Sequence, residues 1–152
     1  MQPADRRLNE LTFRPVSEQE LRDTIEPHFE RQFGRTLPLL SNQSDRFLFS
    51  VGQELAGWHF GRTVEPGVYM MTNTMVLSEF RRQGIYARFL KSIVSELGDR
   101  GLDCIVSRHR PDNHAVLFAK KAFGFVEIVE EIDPQLGRLV VLEYSLRNNK
   151  IP

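Results

Sequence analysis

The sequence predicts an α/β (α+β) domain built on a mixed central β-sheet of about seven strands, with helices on both faces. Segments typical of strands alternate along the chain with segments typical of helices, and no internal repeat or low-complexity stretch interrupts them. The 152 residues fit a single domain, since domains usually hold about 100–200 residues. The composition is that of a globular protein, because 41% of the residues are hydrophobic and 26% are charged.

The first half of the chain is predicted to contain a capped helix and four strands. Ser17 and Glu20 have the spacing of a capping box, which opens a helix that Pro27 is expected to end or kink. A second short helix or an irregular arm is expected to follow, through Phe33 to Leu40. The four strands are expected at Leu11–Val16, Arg46–Val51, Leu55–Arg62 and Val68–Leu77.

The second half begins with a change of hydrophobic period. Four apolar residues recur at a spacing of four: Ile85, Phe89, Ile93 and Leu97. This spacing predicts a helix with one apolar face. The later elements are expected at Leu102–Ser107 (strand), Asn113–Phe123 (helix), Phe125–Asp133 (strand) and Arg138–Leu146 (strand).

Charge and composition exclude several classes of function. The net charge is zero, although positive charge is concentrated in residues 79–124. Nucleic-acid-binding domains usually carry net positive charge and exposed aromatic residues between basic ones, so no nucleic-acid partner is expected, and a small phosphate-bearing ligand fits better. No run of about 18 apolar residues occurs, so no membrane span is expected. The one cysteine, Cys104, cannot form an internal disulfide, which suits a reducing cytoplasm.

The most informative stretch, residues 76–87, links the fourth strand directly to the helix with the apolar face. It reads VLSEFRRQGIYA. The start of a helix offers unpaired N–H groups and partial positive charge to an anion. Gly84 permits close approach of the backbone to a ligand, and Arg81 and Arg82 add full charges. The loop therefore suits a pyrophosphate, although an ordinary turn with solvated arginines has the same residue types.

Two motifs resemble the GNAT superfamily of N-acetyltransferases. Arg81–Tyr86 resembles the family's acetyl-CoA motif, [Q/R]-x-x-G-x-[G/A], and has the expected strand before it. Asn113–Phe125 resembles the second motif, in which an Asn is followed by a helix and then by Gly-Phe. The segment between them has room for one helix and one strand, as in the family. The resemblance covers nearly the whole chain and implies the GNAT fold.

The resemblance also implies a reaction and a cosubstrate. It implies direct transfer, within a ternary complex, of an acetyl group from acetyl-CoA to a primary amine of a small molecule or peptide. The residues implied to lie around the CoA pyrophosphate are Arg81, Arg82, Gln83, Gly84, Ile85, Tyr86 and Ala87. Backbone groups at Val76 and Leu77 are implied to pair with the pantetheine arm and to polarise the thioester carbonyl. Asn113 matches a position that contacts the same arm, although its residue type alone also explains a plain N-cap.

The sequence departs from the family at three positions. Tyr86 stands where a small residue is usual, and its ring is expected to point away from the loop. Lys120 stands where many members have a Tyr that protonates the departing thiolate. Because the reference pKa values of Lys and Tyr are both about 10, the same role is expected of Lys120, the alternative being a solvated helix lysine. Arg108 stands where some members have a Glu base, which makes His109 the nearest candidate base, the alternative being an exposed loop histidine with no role.

Further residues suggest how an acceptor binds. Arg108 and Arg110 are expected near the end of the fifth strand, where they would bind the carboxylate or phosphate of an anionic amine, the alternative being solvated surface arginines. Thr72 and Thr74 on the central strand are expected to hold a water wire. Exposed edge strands are compatible with a homodimer, and no metal site is expected. Because the usual Tyr and Glu are both replaced, the alternative function is a non-catalytic module that binds CoA or acyl-CoA.

Overall fold

Seven strands form one mixed β-sheet in the computed structural model, which describes residues 8–147. The strands are β1 (Leu11–Pro15), β2 (Asp45–Val51), β3 (Glu54–Glu65), β4 (Val68–Val76), β5 (Cys104–His109), β6 (Val126–Asp133) and β7 (Gly137–Ser145). The α-helices are α1 (Glu18–Phe33), α2 (Ile85–Asp99) and α3 (His114–Phe123). The predicted mixed sheet of about seven strands is confirmed, with boundaries that differ by a few residues from the expected ones.

The strand order along the sheet is β1-β2-β3-β4-β5-β7-β6, so the last strand lies between two earlier ones. β4 pairs with β5 in parallel, with Val68–Met70 opposite Cys104–Val106. β7 pairs antiparallel with both β5 and β6. At the other edge, Pro15 is the last residue of β1. An edge strand tolerates proline because one row of its backbone groups has no neighbouring strand.

Helix α1 corrects one prediction. Ser17 caps it as expected, with its Oγ accepting a hydrogen bond of 3.1 Å from the Glu20 N–H. The expectation that Pro27 ends the helix is wrong, because α1 runs on to Phe33 and ends at the left-handed Gly34. Of the segment expected through Phe33 to Leu40, residues 35–40 form an irregular arm without a second helix. Pro27 is exposed, so water is available to the carbonyl that its missing N–H leaves free. The buried residues Ile25 and Phe29 continue the apolar face past it.

Residue contacts divide the chain into two compact units. The first holds the described residues up to Arg62 together with Asn73–Ile85. In this unit one face of α1 packs on β3 and on the end of β4. The buried residues of this core are Leu21, Ile25, Phe29, Leu37, Leu40, Leu48, Trp58, Phe60 and Met75. The core fixes the end of β4, from which the loop to α2 departs.

The second unit holds Thr63–Thr72 and the described residues from Tyr86 onwards. Phe89, Ile93 and Leu97 of α2 are buried, as the four-residue spacing predicted. Residues 139–142 of β7 are buried too, whereas most of β6 is exposed. None of the helices in the described part of the chain is long and apolar enough to cross a membrane.

Candidate active site

The loop between β4 and α2 is held by hydrogen bonds of its own. It begins with a 3₁₀ turn at Ser78–Phe80, in which Phe80 is buried and donates its N–H to the Leu77 carbonyl at 2.9 Å. Nε of Arg81 donates to the Val76 carbonyl at 3.1 Å. Arg81 therefore ties the loop to the end of β4, in addition to bringing a charge to it.

The next part of the loop has an unusual backbone. Arg82 and Gly84 are both left-handed, with φ of 64° and 79°. Left-handed residues in a turn bring successive N–H groups to one side, which forms a concavity that binds anions. Within residues 8–147, the amides of Arg82, Gln83 and Gly84 donate no hydrogen bond to the protein. Since α2 begins at Ile85 and the first amides of a helix have no acceptor within it, the segment offers a row of free donors.

The left-handed Arg82 carries a measurable cost in stability. A non-glycine residue loses about 1–2 kcal/mol in this conformation, and glycine loses none of it but has more entropy in the unfolded chain. Arg82→Gly is therefore expected to raise the free energy of unfolding in urea by about 0.5–1 kcal/mol. Arg82→Ala is the matched control, because it removes the same charge and keeps the strain. Equal stability of the two variants would contradict the explanation.

The end of β4 offers fewer free backbone groups than expected. Leu77 donates its N–H to the Ala56 carbonyl at 2.8 Å and accepts from Phe80, so both of its backbone groups are used within the protein. Because successive N–H groups along a strand point to opposite edges, the N–H of Val76 points away from β3. Of the two residues implied to pair with a pantetheine arm, Val76 is therefore the one whose N–H we expect to be available.

The first residues of α2 differ in burial. Ile85 is buried, Tyr86 is half-buried and Ala87 is exposed. Burial raises the pKa of the Tyr86 phenol well above its ordinary value, so this hydroxyl is neutral at physiological pH.

A second group of polar side chains lies between α3 and β5. Lys120 of α3 is only 1% exposed, and its Nζ lies 3.1 Å from Nε2 of His109. Oγ of the fully buried Ser107 lies 3.1 Å from the same Nε2. The Lys120 ammonium also stands over the Phe125 ring, 5.1 Å from its centroid. The two residues predicted to be catalytic are therefore in direct contact.

Burial sets the charge of both residues. Loss of hydration disfavours a cation, and it lowers the pKa of Lys120 to about 7. Burial, reinforced by the nearby Lys120, lowers the pKa of His109 to about 3. His109 is therefore neutral at neutral pH, whereas Lys120 gains and loses a proton there. The alternative that Lys120 is a solvated helix lysine is wrong, because the side chain is buried.

Asn113 occupies the N-cap position of α3 without capping it by its side chain. Its side chain makes no capping hydrogen bond, and the residue is exposed. The capping role that its residue type suggests is therefore not what holds this side chain, and its amide remains available to a ligand.

The arginines near the end of β5 already have carboxylate partners. Nε of Arg108 lies 3.0 Å from Glu131, and its Nη2 lies 3.6 Å from Asp133. Nε of Arg110 lies 3.5 Å from Asp112 in a pair that is largely exposed. An anionic ligand would have to displace these carboxylates or share the arginines with them.

The two threonines of β4 differ in their surroundings. Oγ1 of Thr74 lies 2.7 Å from Nδ1 of His59, which is fully buried, whereas Thr72 is exposed. The hydroxyl of Thr74 is therefore held by a histidine that the sequence analysis did not single out.

The sequence was compared with models of known protein families. The model of the acetyltransferase (GNAT) family matches residues 7–125, which is most of the chain. The chain belongs to the GNAT family. Curated protein sequences gave no match to it.

Solved structures share the GNAT fold at low sequence identity. Arabidopsis thaliana Naa50, solved with the bisubstrate analogue CoA-Ac-MVNAL, superposes with a TM-score of 0.78 at 15% identity, over 90% of this chain and 99% of that one. Ard1 from Thermoplasma volcanium gives 0.76 at 14% identity, over 90% and 97%. The ribosomal-protein-S18-alanine N-acetyltransferase of Escherichia coli gives 0.74 at 16% identity, over 90% and 94%.

Three residues of this GNAT chain that contact the candidate site were missed from sequence: Ser107, Phe125 and His59. Ser107 was within reach, because residues two apart on a strand share a face and His109 was already a candidate. Phe125 was seen only as part of the Gly-Phe motif, and nothing in its spacing indicates a contact with Lys120. His59 lies in an apolar strand, where a histidine gives no sign of its partner.

Proposed function

We propose that residues 1–152 form a single acyl-CoA-dependent N-acyltransferase domain. In this proposal it transfers an acetyl group from acetyl-CoA to a primary amine of a small molecule or peptide, directly within a ternary complex. The observation that carries the proposal is the left-handed loop before α2, with three amides that donate no hydrogen bond within the described residues. The GNAT family match and the neighbour solved with a CoA-peptide analogue support it.

The residues of the loop fit a CoA pyrophosphate. The amides of Arg82, Gln83 and Gly84 donate no hydrogen bond within residues 8–147, and the left-handed Gly84 among them is exposed. In the proposal these amides, with those of residues 85–87, hold the pyrophosphate, and the N–H of Val76 pairs with the pantetheine arm. Asn113 would contact the same arm. Bound in this way, acetyl-CoA supplies an acetyl group that is activated as a thioester.

Lys120 and His109 are the residues proposed to move protons. Lys120 is proposed to supply the proton that the departing thiolate requires, and its pKa of about 7 suits proton exchange at neutral pH. Positioning two reactants side by side contributes several kcal/mol by itself, so modest acid–base assistance is enough for turnover.

The acceptor is proposed to bind across the end of β5, near Arg108, Arg110, Thr72 and Thr74, with its amine on the His109 side of the strand. An anionic amine would exchange the present carboxylate partners of Arg108 for its own carboxylate or phosphate. Such an exchange adds less affinity than binding to a free arginine would, because one ion pair replaces another. An acceptor screen should therefore include neutral and cationic amines alongside anionic ones.

The experiment that tests the function combines calorimetry with CoA and thiol release from acetyl-CoA over amines grouped by charge. We expect saturable binding of CoA and thiol release with at least one acceptor group. Binding without release from any amine would favour the non-catalytic CoA-binding module, a reading that the replacement of the usual Tyr and Glu also supports. Absence of CoA binding would overturn both functions.

A further inference from the structure

Lys120 is buried without a carboxylate to balance its charge. Within residues 8–147 no acidic side chain forms an ion pair with it, and its contacts are Nε2 of His109 and the ring of Phe125. A buried ammonium with such partners lowers the stability of the folded protein, because the ring of Phe125 and the lone pair of Nε2 replace only part of its hydration. A methionine of similar length would fill the space without this cost. The presence of an amine therefore requires an explanation other than packing.

His109 connects this buried amine to the protein surface. Its Nε2 faces Lys120 and Ser107, each at 3.1 Å, whereas its Nδ1 has no hydrogen-bond partner in the described part of the chain. No buried side-chain nitrogen or oxygen among the described residues lacks a partner. Because Nδ1 lacks one, it must be accessible to solvent. One nitrogen of the ring therefore reaches outwards and the other faces the lysine.

We propose that His109 and Lys120 form one proton relay, in which the imidazole changes tautomer whenever the lysine gains or loses its proton. When Lys120 is an ammonium it can only donate, so Nε2 must accept and the ring proton sits on Nδ1. When Lys120 is a neutral amine, its lone pair accepts a hydrogen bond from Nε2, which then carries the ring proton. A proton arriving at Nδ1 therefore transfers the Nε2 proton to Lys120, and no imidazolium accumulates.

This relay rests on the proposed function and would serve both proton transfers of the reaction. The attacking amine loses a proton as an N–H bond forms at Nδ1, the Nε2–H bond breaks and a third N–H bond forms on Nζ. The reverse sequence delivers the proton from Nδ1 to the departing sulfur, so the pair ends as it began. His109 is then the group that touches the reacting atoms, and Lys120 acts through it. One pair would thus replace the Glu and Tyr that other members use.

The other titratable groups around the pair are engaged elsewhere. Lys121, the next residue on α3, points to Glu127 at 3.8 Å. Tyr144 of β7 packs on Phe125, with ring centroids 5.3 Å apart. Arg108 projects from the opposite face of β5 and pairs with Glu131 and Asp133. A proton exchanged at this pair near neutral pH therefore belongs to Lys120.

Nitrogen-15 NMR of the histidine rings in the free protein tests the relay without any reaction. With the His109 signal assigned by a His109→Gln variant, we expect its ring proton to move from Nδ1 to Nε2 as the pH rises from 5 to 9. In Lys120→Met the tautomer should not change over this range, and in Lys121→Met it should change as in the wild type. A single tautomer across the whole range in the wild type would overturn the relay.

The pH dependence of the rate gives a second, independent test. The ratio of the wild-type rate to the Lys120→Met rate, with one acceptor, cancels the ionisation of that acceptor. In the relay Lys120 must be a neutral amine when the acceptor attacks. Because its pKa is about 7, the neutral fraction rises about tenfold from pH 6 to pH 8, and we expect the ratio to rise with it. A ratio that falls instead would assign Lys120 to acid catalysis alone and overturn the relay. If the wild type releases no thiol with any amine, the proposed function fails, and the NMR titration still decides the relay.

Discussion

Replacing Gly84 by alanine is expected to weaken CoA binding by about 5- to 30-fold. The residue has a φ of 79°, and a Cβ there would meet no atom of residues 8–147 within 4 Å, so the expected effect of the alanine is backbone strain. Holding an alanine in this conformation costs about 1–2 kcal/mol. The free protein avoids that cost if the loop relaxes, but binding through the loop amides requires the original shape. The loss should therefore appear in the CoA affinity measured by calorimetry.

Gly101→Ala provides the matched control for this variant. Gly101 is also left-handed, with a φ of 81° and no atom within 4 Å of an added Cβ, but it follows the end of α2. Gly101→Ala should lose about 1–2 kcal/mol of stability to the same backbone strain and should bind CoA as the wild type does. If Gly84→Ala and Gly101→Ala had the same affinity for CoA, the loop before α2 would not be the phosphate site.

Replacing Lys120 by methionine is expected to stabilise the protein at pH 7 by about 1–4 kcal/mol, the range found when buried ion pairs are replaced by apolar residues. The folded protein lowers the pKa of Lys120 from 10.5 to about 7. Between these two pH values the unfolded chain binds more protons than the folded one, so the wild type gains stability as the pH rises. The free energy of unfolding of the wild type rises by at most about 1.4 kcal/mol per pH unit over this range. Below pH 7 the wild type bears the full cost of burying the charged Lys120.

Urea unfolding at pH 7 and pH 10 measures this effect directly. The advantage of Lys120→Met should shrink towards zero at pH 10, where the wild-type amine is neutral in the folded state. His109 contributes at most about 0.2 kcal/mol between these pH values, because both its folded pKa of about 3 and its ordinary pKa of 6.5 lie below the range. Lys121→Met should change stability by less than about 0.5 kcal/mol at either pH, as surface substitutions usually do. An advantage of Lys120→Met that is equal at both pH values would contradict the pKa of Lys120.

Local patterns were enough to predict much of the fold. The spacing of Phe89, Ile93 and Leu97 predicted α2, because a helix with one buried face repeats its apolar residues at nearly this interval. Gly84, between a strand and that helix, predicted the loop. The left-handed backbone at this position explains why a glycine is found there. The prediction at Pro27 was wrong, because it used the rule that proline ends a helix. That rule takes no account of the buried residues Ile25 and Phe29, which lie on the other side of α1 from Pro27.

The contacts of the candidate site were harder to predict, since most of them join residues far apart in the sequence. Arg108 was expected to bind an anionic group of the acceptor, and its partners within the protein, Glu131 and Asp133, were not predicted because they are on β6, with β7 between the two strands. Lysine is usually a surface residue, and only the packing of α3 shows that Lys120 is buried. The sequence identified Lys120 and His109 separately, but it had no means of indicating that they touch.

The position of β7 in the sheet affects the order in which strands can pair during synthesis of the protein. β5 leaves the ribosome before β7, yet β7 is the strand that covers its outer edge. Until residues 137–145 emerge, the nascent chain carries an open strand edge that is competent to pair with other chains. Chaperone dependence during synthesis should therefore be greatest between the emergence of β5 and that of β7.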